Sequence, residues 1–453
     1  MEPIRLRSLT TEFGGECRGA EVSVTGVAID SRQVAPGDLF IALAGDRVDG
    51  HDYIDAAASA GAVAALVTRY TDSELPQWRV DNPHRILIEL ACRARSASGA
   101  RVLGVTGSNG KTTVKEMITT ILARCGTTRS TRGNLNNELG VPLTLCGIEP
   151  RDDFAVVEMG CGKPGDIGLL ASWARPHIGV VTNAGPAHLT GFGSVAAVAD
   201  CKGELFEELP ARGWAIINAD DPHAPVWEQK AAHCHIQRFS LDGNAAEVTG
   251  IERDDGGLDI RFEDMTVTAR LPLPGRHNRS NALAAAAAAR AAGADPETIV
   301  AGLAAVSTMD GRLQLRAGIH AMEMVDDSYN ANPASLAAAL ETLTATTAPV
   351  WLVMGDMAEL GEEAASLHRR AGEYAREIGV ERLFATGELS AHAVEGFGAG
   401  GDWFASRSAL IEAVTAAAVP GVRVLVKGSR SAAMDEVAAA LAGDEPGEGR
   451  SCS

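Results

Sequence analysis

The stretch from Arg101 to Thr113, RVLGVTGSNGKTT, constrains this chain more than any other. A short apolar run (Val102, Leu103, Val105) reads as a strand, a turn of Gly and small residues follows, and a helix starts near Lys111. That order makes a phosphate cradle. Backbone N–H groups around Gly107, Ser108, Asn109 and Gly110 can approach phosphate oxygens closely, and the helix N-terminus favours their charge. Lys111 would reach the terminal phosphates, and the hydroxyl of Thr112 or Thr113 would sit on Mg²⁺. The spacing departs from the common pattern, which wants a Gly separated by four residues from the Gly110-Lys111 pair. Val105 stands there, with glycines at 104 and 107 instead. A Gly-rich loop without a ligand is the plain alternative, but GKTT directly after an apolar strand favours an ATP site.

Composition narrows the rest. A chain of 453 residues predicts two to four domains, and 46% apolar residues suffice for their cores. Aromatics are only 4% and Ala is abundant, which favours helices packed closely on sheets. No run of about 18 apolar residues predicts a membrane span, and the start MEPIRLRSLTTEFGGE lacks the apolar core of a signal peptide. Eight scattered Cys without a C-x-x-C pair fit a reducing cytoplasm, the expected location. A net charge of −19 argues against general nucleic-acid binding, though not against anionic small substrates in a locally positive pocket.

The expected fold class is α/β in three domains: a small α/β domain over 1–97, a central P-loop ATPase-type domain with a mostly parallel sheet over 98–311, and a Rossmann-like domain over 312–453. In the first, strands are expected at 27–29 and 39–43 around a turn at 35–38, then a helix stopping at Gly61. Asp30, Ser31 and Arg32 at a strand end, with Arg47 in the next loop, could hold an anion or form a solvated turn. The polar segment ARSASGAR, 94–101, marks the first joint. Central strands are expected at 154–157, 178–181 and 214–217, with Glu158, Asn183 and Asn218 at their ends, where ligands bind in such sheets. SNALAAAAAARAA, 280–292, is a helix closed by Gly293. Past Arg312, strands at 322–325, 350–354, 383–386 and 422–426 alternate with helices, and the tail from Gly443 reads as disordered.

Glu158 follows the phosphate loop by about 45 residues, the place of an acid that meets a nucleotide-bound Mg²⁺. Taken alone, His188 reads as structural and Lys202 as a surface lysine. His233-Cys234-His235 is too short and polar a segment to supply a complete zinc site.

The order of motifs resembles the Mur ligases of peptidoglycan synthesis over nearly the whole chain. The carriers are DSRQVAPGDLFIAL and DGHDY, TGSNGKTT, GNLNNELGVPLTL, VVEMG, NAGPAHLTGFGS, KGELF and NADDP. GRHNRSNALAA, DGRLQ, DDSYNANPASL, GDMAELG and LVKGSRSAAM complete the series. The resemblance is closest to the last ligase of the pathway and implies these roles. Ser31 and Arg47 contact the UDP-sugar, and Asn136 and Asn137 help hold the muramoyl-peptide. Thr112 or Thr113 with Glu158 binds one Mg²⁺ and His188 a second. Lys202 matches a lysine that is carbamylated, so that a cation becomes a carboxylate-like metal ligand. Asn281 lies at adenine, Arg312 at the γ-phosphate and Asp327 at the ribose. Cys161-Gly162-Lys163 departs from the often basic or Asn-containing sequence after the acid.

The implied reaction is ATP-dependent ligation of D-alanyl-D-alanine to UDP-N-acetylmuramoyl-tripeptide through an acyl phosphate, with two Mg²⁺, by a cytoplasmic monomer that meets neither nucleic acid nor membrane. Tyr329, Asn330 and Asn332 follow a strand and face the acceptor's amide, with Lys427 and Arg430 at its carboxylate. The preceding ligase, which adds a diamino acid, would carry a DNPR-type motif that is absent here. Folate polyglutamate ligases lack the DSR…GDLF pattern, and a P-loop ATPase coupled to motion would need no amino-acid acceptor.

Overall fold

The computed structural model describes residues 1–442 apart from 46–47, 188, 264 and 346; the expectations for Arg47, His188 and the tail from Gly443 therefore lie outside the described residues. Three α/β layers follow one another along the chain. The first holds a sheet in the order Glu16–Arg18, Gln77–Arg79, Ala64–Val67, Asp38–Ile41, Gly26–Ala28, parallel except at its first pair. The turn at 35–38 forms, with the Asp38 N–H donating to the Ala35 carbonyl at 3.1 Å. Helix Ile54–Ala60 ends on Gly61 in the left-handed conformation.

The central sheet runs Thr128–Ser130, Phe154–Glu158, Arg101–Thr106, Ile178–Val181, Trp214–Asn218, His235–Ser240, Val248–Glu252, all parallel. It then turns antiparallel through Leu258–Arg261 and Thr266–Ala269, an edge that a reading of simple βα alternation had not anticipated. Apolar residues alternate across it. Val102, Ala155 and Val157 join the core on one face, and Leu103, Val105 and Val156 the core on the other. On the second face lies helix Arg276–Ala291, whose Ala282 to Ala289 are all fully buried, since Ala lets a helix approach a sheet closely. This helix starts four residues earlier than propensity placed it, because its polar first turn faces a cleft rather than solvent-filled loop.

The third layer opens with an antiparallel strand, Gln314–Ala317, and continues parallel through Glu323–Asp327, Arg423–Lys427, Val350–Met354, Arg382–Thr386 and Gly401–Phe404. Helices cover both of its faces, each over its own apolar cluster. No helix among the described residues is long and apolar enough to cross a membrane.

Candidate active site

The carboxyl ends of the central strands meet the start of the third layer around a cleft of about 850 Å³. The phosphate loop forms its floor. Val105 is fully buried within strand Arg101–Thr106, so the turn begins at Gly107, two residues later than the common spacing has it. A Cβ on Gly107 would lie 1.8 Å from the Thr182 hydroxyl oxygen, and one on Gly110 (φ 80°) would lie 2.3 Å from Asn281 Oδ1. Both glycines are therefore demanded by close approach. The loop is anchored on the next strand end: the Asn109 N–H donates to Asn183 Oδ1 (2.9 Å), and the Asn109 carbonyl accepts from Thr182 Oγ1 (2.6 Å) and Asn183 Nδ2 (3.1 Å). Helix Lys111–Leu122 follows, and no side chain caps its N-terminus. Its first N–H groups thus remain available to an anion.

Cations gather above this loop. The Lys111 ammonium folds back on the Gly107 carbonyl at 2.8 Å. Burial pushes its pKa down to about 8, with the charge of Lys202 adding to the effect and Glu158 opposing it. Lys202, on helix Val195–Glu207, is 2% exposed, with its Nζ 3.5 Å from Cys161 Sγ. The Cys161 thiol is held down at about 5, first by a hydrogen bond from Cys201 and then by the charges of Lys202 and Lys111 against the opposing effect of burial. Glu158 ends its strand buried; its Oε1 accepts from Asn136 Nδ2 at 2.8 Å, while Oε2 has no hydrogen-bond partner. A buried carboxylate oxygen left without a partner is costly, and a hard cation beside the Thr112 and Thr113 hydroxyls would satisfy it. Among the described residues no three His, Cys, Asp or Glu side chains cluster as a metal site. The donor set thus fits Mg²⁺ held largely by phosphate and hydroxyl oxygens.

The opposite wall comes from the third layer. Arg312 Nη2 donates to Thr112 Oγ1 at 3.0 Å, and its guanidinium lies 4.2 Å from the Tyr329 ring centroid. Asp327 accepts from the Leu313 N–H (3.2 Å) and pairs with Lys427 at 2.5 Å; Lys427 Nζ also donates to the Asn330 carbonyl at 3.0 Å. Lys427 is 3% exposed, so its charge is already answered inside the protein. Asn137, Asn281, Asn330 and Asn332 line the same cleft. Two expected residues do not. Arg430 is exposed, 3.4 Å from Asp435 and 6.0 Å from the Tyr329 ring, at the rim. Ser31 opens a 3₁₀ turn in the first layer, where Arg32 is already forked onto Asp30.

Sequence reasoning passed over Thr182, His277 and Glu359. The first locks the loop, and the other two line the cleft. Burial pushes the His277 pKa down. The signal for His277 was present in GRHNRSN, three residues short of the helix start that propensity suggested.

Fold and cleft together define a nucleotide-binding α/β protein whose phosphate loop is faced by a second, Rossmann-like layer. Family models describe the chain in three pieces: Mur ligase family, catalytic domain, over 23–93; Mur ligase middle domain over 105–289; and Mur ligase, glutamate ligase domain, over 311–430. The UDP-N-acetylmuramoyl-tripeptide–D-alanyl-D-alanine ligase of Escherichia coli K12 is 42% identical over 447 residues, covering 97% of this chain and 99% of that one. Among solved structures, MurF of Acinetobacter baumannii superposes with a TM-score of 0.88 at 31% identity, covering 98% of this chain and all of the other. MurF of Thermotoga maritima, in complex with ADP, gives 0.79 at 26% identity over 92% and 97% of the two chains. The chain belongs to the Mur ligase family.

Proposed function

We infer that this protein is the ATP-dependent ligase that joins D-alanyl-D-alanine to UDP-N-acetylmuramoyl-tripeptide, completing the pentapeptide precursor of peptidoglycan. The observation that carries the reading is one cleft that brings the phosphate loop, Glu158 and Lys202 together with Arg312 from the opposite wall, in a chain similar to a UDP-N-acetylmuramoyl-tripeptide–D-alanyl-D-alanine ligase over 97% of its length. The tripeptide's terminal carboxylate attacks the γ-phosphate of ATP, the bond to ADP breaks, and an acyl phosphate forms. The amine of D-alanyl-D-alanine then attacks that carbonyl, loses a proton, and phosphate leaves. Carboxylate is a poor electrophile, so prior activation is required.

In this reading Gly107 to Thr113 cradle the β- and γ-phosphates, and Lys111 and Arg312 offset the repulsion between the two anions brought together. Thr112 or Thr113 with Glu158 would hold one Mg²⁺, and His188 with a carbamylated Lys202 a second. Bound there, the ions would act as Lewis acids that neutralise phosphoryl charge. Asn281 serves adenine and Asp327 the ribose. Ser31 and Arg47 serve the UDP-sugar, and Asn136 and Asn137 the muramoyl-peptide. Tyr329 and Asn330 mark the acceptor edge, where the sequence also sets Asn332, with Lys427 and Arg430 near the acceptor's carboxylate; Lys427 does so from within its pair with Asp327. The working units are 1–97, 98–311 and 312–453, in a cytoplasmic monomer. ATP turnover should depend on both UDP-N-acetylmuramoyl-tripeptide and D-alanyl-D-alanine, with the pentapeptide as product. Hydrolysis that ignores the dipeptide would overturn the reading.

A further inference from the structure

Asn332 occupies an unusual position between layers. It is the N-cap of helix Pro333–Thr344: its Oδ1 accepts from the Ser335 N–H at 2.9 Å, and its own N–H donates to Ser335 Oγ at 3.1 Å. Its other amide group points away from that helix, and Nδ2 donates to Asn109 Oδ1 in the phosphate loop at 2.7 Å. The residue is 8% exposed and its partner Asn109 is half-buried, so the bond between them is partly screened from water. Its partner is equally immobile. Thr182 and Asn183 hold the backbone of Asn109 on both its N–H and its carbonyl, leaving only the side chain to face the third layer.

We propose that Asn332 is a positioning residue that docks the third layer onto the phosphate loop through Asn109, rather than a contact to the acceptor. The inference rests on the ligase reading of the cleft. An asparagine offers two donors and two acceptor sites, and here one side of the amide caps a helix while the other grips the loop. Turning it toward a dipeptide would uncap the helix. The tie also uses side-chain atoms alone, so the N–H groups that open helix Lys111–Leu122 stay free for phosphate. The second tie differs in kind. Arg312 and Thr112 are both groups that a phosphate and its metal would claim, so that bond must be exchanged when nucleotide enters. The Asn332–Asn109 bond can persist through the cycle and keep Arg312 registered on the γ-phosphate.

The test is a double-mutant cycle in the full chain with ATP, UDP-N-acetylmuramoyl-tripeptide and D-alanyl-D-alanine. Asn332→Ser keeps a capping oxygen but cannot span to Asn109; Asn332→Asp is avoided because a turned Asn109 amide could donate to it. Asn109→Ala removes the other end. Each single variant should lower kcat about fivefold, the worth of one partly buried hydrogen bond, with the dipeptide KM held within about twofold. The double variant should also stand near fivefold. A product near 25-fold, an unchanged kcat, or a raised dipeptide KM at constant kcat would each overturn the proposal, the last by returning Asn332 to the acceptor. Should Asn332→Ser melt early, Asn332→Thr supplies the same cap, and Asn109→Ala leaves the cap untouched. Failure of the unaltered chain to ligate would sink the ligase reading instead. The same cycle would then be read in binding of a non-hydrolysable ATP analogue, where additive losses would refute the docking role.

Discussion

Gly107→Ala should damage nucleotide binding far more than folding. A Cβ there would stand 1.8 Å from Thr182 Oγ1 and 3.0 Å from Thr182 Cβ, at a φ of 155°. The obvious relief is rotation of the Thr182 side chain, which breaks its 2.6 Å bond to the Asn109 carbonyl. Thr182 is 3% exposed, so the hydroxyl would lose its partner in a dry place, costing about 1–3 kcal/mol. Holding Ala in that backbone region costs about 1–2 kcal/mol more. The strain is local to the loop, so about 3 kcal/mol should surface as an ATP affinity weaker by about two orders of magnitude. Titration calorimetry with a non-hydrolysable ATP analogue measures it, and a thermal melt checks that the sheet survives. Thr182→Ala added to Gly107→Ala removes the hydroxyl that has nowhere to go, and should recover about tenfold of the loss. An unchanged affinity in Gly107→Ala, or no recovery in the double variant, would refute the steric reasoning.

Lys111→Ala should remain folded and lose most turnover, and near-normal rates would remove Lys111 from the phosphate site. With its pKa held at about 8, Lys111 is protonated below that pH and neutral above it, so ATP affinity should be level up to pH 7 and fall about tenfold by pH 9. A flat profile in calorimetry would contradict a charge role. Lys202→Ala should be inactive and partly restored by acetate, while Lys202→Arg stays inactive; an active Arg variant would exclude a carbamate. Arg430→Ala should raise the KM of D-alanyl-D-alanine several-fold and leave that of ATP alone; equal effects on both would move the acceptor carboxylate elsewhere. Scattering should show compaction when ATP analogue and UDP-N-acetylmuramoyl-tripeptide bind together, and constant dimensions would argue against domain closure.

Much of this site could be read directly because its chemistry demands particular residues at particular places. Only Gly tolerates the approach of Thr182 and Asn281 to the loop, and an acid at the end of the strand beside the loop has few other reasons to be there. What escaped was set by packing across layers. Propensity started the alanine-rich helix at Ser280, because Arg276, His277 and Asn278 look like loop residues until a cleft needs a polar first turn. The antiparallel edge at Val248–Glu252, Leu258–Arg261 and Thr266–Ala269 consists of short strands, two of them only four residues long, which are easily passed over in a chain read for alternating strands and helices. Lys427 read as a free cation in a loop, and only the register that sets it beside Asp327 reveals the pair. Arg430, three residues on, is carried outward by the turn that follows.

The two joints also differ in a way that residue types at 94–101 could not disclose. Helix Pro83–Ala97 buries Ile86, Leu87, Leu90 and Ala91 in the same apolar cluster as Val141 and Leu145 of helix Gly140–Cys146 and Ile167 and Leu170 of helix Asp166–Ala174. Arg95, 7% exposed, adds bonds to the carbonyls of Ala174 (2.7 Å) and Arg175 (2.9 Å). Opening the molecule near residue 98 would therefore expose apolar surface at about 25 cal/mol per Å² and strand a buried guanidinium. The third layer keeps its clusters to itself and meets the phosphate loop through Arg312–Thr112, a polar contact that nucleotide or water can replace, and Asn332–Asn109, a single hydrogen bond about which the layer can pivot. Both joints are polar in sequence, yet the cheaper motion lies at the second, near Gly311. Closure should thus carry Arg312 and the acceptor edge as one body against a first and central layer that move together.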